Sequence, residues 1–213
     1  MSSLHPDLQR HFAAEDGLLH HPLLIRSLGP SQFQAASNEY LSIKKEADTV
    51  RETKDWEKYV FLHARPYRLR ALKRCCYMGL AGSAFWKLVG EVWCDSENIF
   101  QNRAHWRSVW SSEEPGRTDA MNAEEKLFLN KLAMPVPVWR GSDHRIHTRS
   151  LSWTTNREKA LFFANRRIRE GHACFLASGI VQRVDVFATF LRRNEFELVC
   201  RKATISKVEK ITR

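Results

Sequence analysis

The chain has 213 residues, of which 43% are hydrophobic and 11% aromatic, including seven Trp and twelve Phe. This supply of core-forming side chains excludes a wholly disordered chain, and the longest uncharged apolar stretch, 78–86, has about half the roughly 20 residues that a membrane span needs. The formal net charge of +10 excludes neither nucleic acids nor acidic proteins as partners.

The positive charge is concentrated in the last third of the chain. Residues 1–138 hold 18 Lys and Arg against 17 Asp and Glu, whereas residues 139–213 hold 16 against 7. Twelve of those sixteen cations are Arg, the side chain best suited to two-pronged contacts with phosphate. A phosphate-bearing ligand, a nucleic acid or an acidic protein fits this charge as well as a solvated basic surface does.

The cysteines and the N-terminus indicate a cytoplasmic protein. Five cysteines are an odd number and show no C-x-x-C spacing, so we expect reduced thiols and no structural zinc. The first ten residues lack a basic start followed by an apolar block, so no secretory signal is expected. His144 and His147 lie three residues apart without a third ligand nearby, so we expect no metal.

Residues 1–130 are predicted to be mostly helical. The segment 31–48 lacks Gly and Pro and is rich in helix formers, and the segment 50–63 spaces its apolar residues three and four apart. Pro66 and Pro135 end helical patterns. Further helices are predicted near 67–78, 83–93, 101–110 and 122–132.

From residue 131 onward the pattern changes to strands. Apolar and β-branched runs predict strands at 136–141, 151–154, twice within 173–190, at 196–200 and at 204–212. One helix is inserted, for which we expect Thr155 as N-cap and Glu158 as its capping-box partner. The sequence therefore predicts an α+β fold, in which a helical region, 1–130, packs on or covers a β-rich core, 131–213.

Three motifs follow one another in that core. The first is Trp139-Arg140-Gly141 at a strand end, the second is Ser152-Trp153-Thr154 before a helix with Ala-x-x-Phe-Ala at 160–164, and the third is Glu195-Phe196-Glu197 opening an apolar strand. Together they resemble the ADP-ribosyltransferase family, in its branch with an Arg, a Ser-Thr-Ser segment and a Glu. The resemblance implies a split β-sheet core with an inserted helix, and it covers nothing before residue 131.

The resemblance also implies an activity, with NAD as co-substrate and no metal. Such an enzyme releases nicotinamide and transfers ADP-ribose to a macromolecule. Glu197 would stabilise the positive charge that builds on the ribose, Ser152 would hold this carboxylate, and Arg140 would contact a phosphate or the adjacent ribose. The residues expected to contact NAD are Arg140, Gly141, Ser152, Trp153, Thr154 and Phe163.

The acceptor is expected to be a protein, with a nucleic acid as the alternative and no membrane involved. Glu195 lies two residues before Glu197, so a regular strand would place both on one face, where Glu195 could orient or deprotonate the acceptor. In the family a Glu at this position accompanies transfer to arginine. The preceding loop offers Phe190, Arg192 and Arg193 for recognition of the acceptor. Similar small transferases include toxins and bacteriophage proteins that act in a host cytoplasm.

The motifs depart from the family in part and have other interpretations. Trp153 stands where the family often has Thr, and Thr154 replaces the last Ser. Arg140 also fits an ordinary surface residue, the hydroxyl residues fit a helix cap, and the Glu pair fits a charged sheet edge. Two rival functions stay open: an RNA 2′-phosphotransferase-like enzyme that uses NAD, and a non-enzymatic module that binds nucleic acid or an acidic protein through Arg166, Arg167 and Arg169.

Overall fold

The computed structural model describes residues 4–166 and 173–211, except for the side chain of Arg193. It confirms the mixed class, since the chain contains both helices and antiparallel strands, in blocks along the sequence. The chain forms two compact units, Met1–Leu80 and Ala81–Arg213, and the boundary that the sequence predicted near residue 130 lies within the second unit. Among the described helices, none is both long and apolar enough to cross a membrane.

From residue 4 onward, the first unit combines four α-helices with a small sheet that the sequence did not predict. Three short strands pair antiparallel in the order β1-β2-β3. Their two to four residues are too few for a period of two to stand out. The elements are α1 (Pro6–Gln9), β1 (Phe12–Ala13), β2 (Leu18–His21), β3 (Leu24–Ser27), α2 (Phe33–Glu52), α3 (Trp56–Leu62) and α4 (Arg68–Tyr77).

The predicted helix over 50–63 is interrupted. The helix α2 continues to Glu52, and α3 begins at Trp56. Between them Lys54 has a φ of 59°, which a helix cannot contain, and the side chain of Asp55 accepts a hydrogen bond from the backbone N–H of Lys58 at 3.1 Å. The periodic apolar pattern therefore spans two helices, because an Asp N-cap restarts the helix within it.

In its described residues, the second unit holds four α-helices and six strands. Its helices are α5 (Gly82–Asp95), α6 (Arg103–Trp110), α7 (Ala123–Lys131) and α8 (Arg157–Asn165). Four Trp side chains on α5 and α6 are each at most 1% exposed, namely Trp86, Trp93, Trp106 and Trp110. The rings of Trp93 and Trp106 meet edge to face at 5.0 Å, so these two helices supply a large aromatic part of the core.

The six strands form one antiparallel sheet in the order β7-β8-β5-β4-β6-β9. The strands are β4 (Val136–Ser142), β5 (Ser152–Thr154), β6 (Cys174–Val181), β7 (Val186–Phe190), β8 (Glu197–Cys200) and β9 (Thr204–Ile211). Each lies within or next to a predicted run, so the sequence located the whole sheet. No disulfide joins the five cysteines, all of which belong to the described part of the chain.

The sheet is held together unevenly. The strands β4 and β6 pair over seven residues, from Val136↔Val181 to Ser142↔Phe175. The strands β4 and β5 share one pair, Trp139↔Thr154. Since the other strand pairs of this sheet share three or more residue pairs, β4 and β5 part from each other almost as soon as they meet.

The helix α8 packs directly on β4 at Gly141. A Cβ atom at this position would lie 2.5 Å from the backbone nitrogen of Ala164 and closer still to the carbonyl oxygen of Ala160. Only glycine allows the helix backbone to approach this strand so closely. The N-cap of α8 is Asn156 and not Thr155 as predicted, because the Asn156 side chain accepts from the backbone N–H groups of Glu158 and Lys159.

We predict that Gly141→Ala destabilises the second unit by about 2 kcal/mol or more, because the methyl group must push the α8 backbone away from β4. Thermal or urea unfolding followed by Trp fluorescence measures the change. Gly29→Ala is the control, since its added methyl group has no neighbour closer than the Gln32 side chain at 3.9 Å. Equal stability of the two variants would contradict the packing argument.

Candidate active site

Glu197 is the first residue of β8 and is fixed by the strands on both sides. It pairs with Thr154 of β5 and with Phe190 of β7. Its backbone carbonyl accepts a hydrogen bond from the fully buried hydroxyl of Thr189 at 2.7 Å. The backbone of Glu197 therefore has little freedom, and its side chain leaves the sheet from a defined point.

The carboxylate of Glu197 accepts two side-chain hydrogen bonds. The indole N–H of Trp93 donates to Oε2 at 3.1 Å, and the hydroxyl of Ser152 donates to the same carboxylate. The motif analysis predicted the Ser152 contact. It missed Trp93, because this residue lies 104 positions away on α5 and looks like any other core Trp in the sequence.

Arg140 lies beside this carboxylate, where β4 and β5 separate. Its Nη1 donates to the Ser152 carbonyl at 2.7 Å, and its Nε donates to the His147 carbonyl at 2.8 Å. A guanidinium has five N–H donors, and the other three have no partner among residues 4–166 and 173–211. The structure therefore brings Arg140, Ser152 and Glu197 together, with donors left to bind a ligand.

The local environment shifts the pKa values of both charged groups. Burial raises the pKa of Glu197, and the neighbouring Glu195 adds to this, while the hydrogen bonds from Ser152 and Trp93 and the charge of Arg140 act in the opposite direction. Burial lowers the pKa of Arg140 to about 10, so this residue stays cationic at neutral pH. A carboxylate with a raised pKa next to a cation in a sheet opening is typical of functional sites.

The sequence predicted that Glu195 and Glu197 lie on the same strand. In the structure β8 begins at Glu197, and Glu195 lies before it. The backbone of Glu195 is in the helical region, and the next residue, Phe196, has a φ of 49°. Asn194 has a φ of 56°, so two non-glycine residues before β8 adopt the left-handed conformation. Glu195 nevertheless remains close enough to Glu197 to raise its pKa.

Three of the predicted NAD-contacting residues have structural tasks. Trp153 is 3% exposed, alternates to the opposite face of β5 from Ser152, and donates its indole N–H to the Ser150 carbonyl at 3.0 Å, so it does not face Glu197. The Thr154 hydroxyl donates to the Glu195 carbonyl at 2.7 Å and so shapes the turn before β8. The backbone of α8 lies directly against Gly141.

Phe163 is half-buried on α8, where its ring packs against that of Phe162 at 5.6 Å between centroids. Its predicted contact with NAD stays a prediction.

In the loop predicted to recognise an acceptor, Phe190 and Arg192 contact other parts of the second unit. Phe190 is 1% exposed and packs near Trp110, so its ring belongs to the core. Arg192 donates to Glu91 at 2.6 Å and lies 3.6 Å from the fully buried Glu125, which ties it to the helices α5 and α7. The side chain of Arg193 lies outside the described part of the chain.

No family model, no curated protein and no solved structure matches the chain. Among residues 4–166 and 173–211, no cluster of three or more His, Cys, Asp or Glu side chains could hold a metal ion. The group formed by Glu197, Ser152, Trp93 and Arg140 is therefore the feature of the chain that bears on its function.

We predict that Glu197→Gln stabilises the second unit at pH 8 and has little effect near pH 4. Folding raises the pKa of Glu197, so this group ionises at a lower pH in the unfolded chain than in the folded chain. As the pH rises from the first of these pKa values to the second, the free energy of unfolding falls. The Tm difference between the variant and the unsubstituted chain, followed from pH 4 to pH 8, measures this loss.

Glu209→Gln is the matched control, because the hydrogen bond from Lys207 lowers the pKa of this exposed carboxyl group. Its stabilising contribution is present at pH 8 and fades as the pH falls, which is the opposite sign. A Tm of Glu197→Gln that falls below that of the unsubstituted chain at pH 8 would mean that Glu197 serves as a stabilising ion-pair partner.

Proposed function

We propose that the chain is a mono-ADP-ribosyltransferase, which cleaves the bond between nicotinamide and ribose in NAD and transfers ADP-ribose to a macromolecule. The observation that carries the proposal is the Glu197 carboxylate, bound by Ser152 and Trp93 beside the Arg140 guanidinium. The single residue pair between β4 and β5 supports a split-sheet core of the ADP-ribosyltransferase type, since these three motif positions converge at the split.

Glu197 would act on the charge that develops during bond cleavage. As the bond to nicotinamide breaks, positive charge grows on the ribose, and a fixed carboxylate stabilises this charge more than it stabilises the ground state. The hydrogen bonds from Ser152 and Trp93 hold the carboxylate in one orientation, so little reorganisation is needed. Burial strengthens the interaction because water does not screen it.

Arg140 would hold the diphosphate or the adjacent ribose. Two of its N–H groups are bound to backbone carbonyls, which fixes the plane of the guanidinium. The remaining donors can bind a phosphate oxygen, which is the usual ligand of an anchored arginine. The charge of Arg140 is retained at neutral pH because its lowered pKa is still about 10.

Glu195 would act on the acceptor, for which arginine is our first choice. A guanidinium nitrogen of the acceptor forms the new bond to the ribose carbon, nicotinamide leaves with the electron pair of the broken bond, and the proton released from the acceptor passes to Glu195. The position of Glu195 in the turn before β8, near Glu197 but outside the strand, suits a group that meets the acceptor and not the NAD.

We predict that Glu197→Gln lowers nicotinamide release from NAD at least about 100-fold, because the amide keeps the shape but carries no charge. Chromatography of the released nicotinamide measures the rate, and circular dichroism establishes that the variant is folded. Glu209→Gln, which removes a carboxylate at the edge strand β9, is the control and is expected to release nicotinamide as the unsubstituted chain does. Unchanged release from folded Glu197→Gln would refute the proposal.

We predict that Glu195→Ala reduces transfer of ADP-ribose to an acceptor more than it reduces hydrolysis of NAD, because water needs less orientation than a guanidinium. Incubation with labelled NAD and either a poly-arginine peptide or water alone separates the two rates. Equal losses in both assays would assign Glu195 to the site of bond cleavage and not to the acceptor.

A further inference from the structure

A second candidate site lies at the C-terminal end of β8, the strand that begins with Glu197. It is a groove of about 790 Å³, which we call the basic groove, and its walls come from α6, the start of β5, the segment before β7 and the turn from β8 to β9. Four of its lining residues are exposed cations: Arg107, Arg149, Arg201 and Lys202.

The arginines of the basic groove are partly fixed before any ligand binds. Arg107 donates to the carbonyl of Arg201 at 3.3 Å, and Arg201 donates from Nε and Nη2 to the carboxylate of Asp185 at 3.1 and 3.0 Å. Among the described residues, Asp185 is the one carboxylate that lines the groove, so four positive charges there face one negative charge. Guanidinium groups anchored in this way lose less conformational entropy when they bind an anion.

Uncharged residues form the rest of the wall of the basic groove. The side-chain oxygen of Ser150 is buried and has no hydrogen-bond partner among the described residues. Because this oxygen is covered by protein atoms, we assign it no contact with a ligand in the groove. The remaining walls include small aliphatic side chains, among them Val184, which is 77% exposed.

The basic groove is separate from the group around Glu197. The turn that contributes Arg201 and Lys202 follows Cys200, which is three residues, or about 10 Å, along β8 from Glu197. Trp153, which lines the groove, lies on the face of β5 opposite to Ser152. A molecule in the groove would therefore occupy a different place from one bound at Arg140 and Glu197.

We propose that the basic groove binds the phosphate backbone of a nucleic acid. Three arginines and a lysine provide N–H donors from which phosphate oxygens can accept hydrogen bonds. The cations are exposed on open walls, whereas a small ligand needs a site that encloses most of its surface. Trp153 is almost fully buried, so it offers no platform for base stacking, and the contacts involve the backbone and not the bases.

The test is a charge reversal on the intact chain. Arg149→Glu with Lys202→Glu is expected to weaken binding of a fluorescein-labelled 20-nucleotide RNA at least about tenfold in a fluorescence anisotropy titration at 50 mM salt. Loss of two phosphate contacts also lowers the slope of log affinity against log salt by roughly 1.4. The matched control, Lys207→Glu with Lys210→Glu, reverses two charges further along β9 and is expected to have a smaller effect.

Parallel titrations with duplex RNA, single-stranded DNA and a poly-glutamate peptide identify the ligand class. Binding of any nucleic acid that depends on the groove pair more than on the control pair supports the proposal. Equal effects of the two pairs, no binding of nucleic acid at 50 mM salt, or groove-dependent binding of the peptide alone would overturn it. Glu197→Gln is expected to bind RNA normally, so this result is independent of the proposed transferase activity.

Discussion

The separation of β4 from β5 after one residue pair is the constraint on which the candidate site depends. Two adjacent strands that part leave backbone groups without partners, and such groups must be satisfied in another way. Arg140 does this for Ser152, because its guanidinium donates to the Ser152 carbonyl at 2.7 Å. If the two strands paired along their full length, a backbone N–H of β4 would bind this carbonyl. The guanidinium would then lose the hydrogen bond that holds it beside Glu197. The separation of β4 and β5 therefore both opens the sheet and places the charge of Arg140 in the opening.

The carboxylate in that opening is bound by elements from distant parts of the second unit. Trp93 belongs to α5, whose buried face also carries Trp86 and packs into the aromatic core. The indole ring is thus fixed by core packing, while its N–H reaches Glu197. Burial penalises the ionised carboxylate, and the two donors offset part of this penalty. The helix α5, which precedes residue 131, therefore contributes directly to the site.

The sequence predicted local elements and motif order better than it predicted contacts. Apolar and β-branched residues located all six strands of the large sheet, including β9, where they alternate with polar residues. The contact between Ser152 and Glu197 followed from the motifs. Nothing in the sequence distinguishes Trp93 from the other buried Trp residues, since its contact depends on the packing of α5. The position of Glu195 was missed because the left-handed Asn194 and Phe196 break the strand geometry that the prediction assumed.

The positive residues in the last third of the chain have several different roles. For this reason their number alone favoured no function. Some arginines are consumed by the fold: Arg183 donates to the Leu129 carbonyl and to Asn130, and Arg192 pairs with Glu91. Arg140 fills the gap in the sheet. A further set, which includes Arg149, remains exposed around the basic groove. A guanidinium that satisfies backbone carbonyls contributes to the charge count as much as one that faces solvent, yet only the second attracts a polyanion from solution. The charges that bear on function are therefore found by their hydrogen bonds and exposure, which depend on the fold.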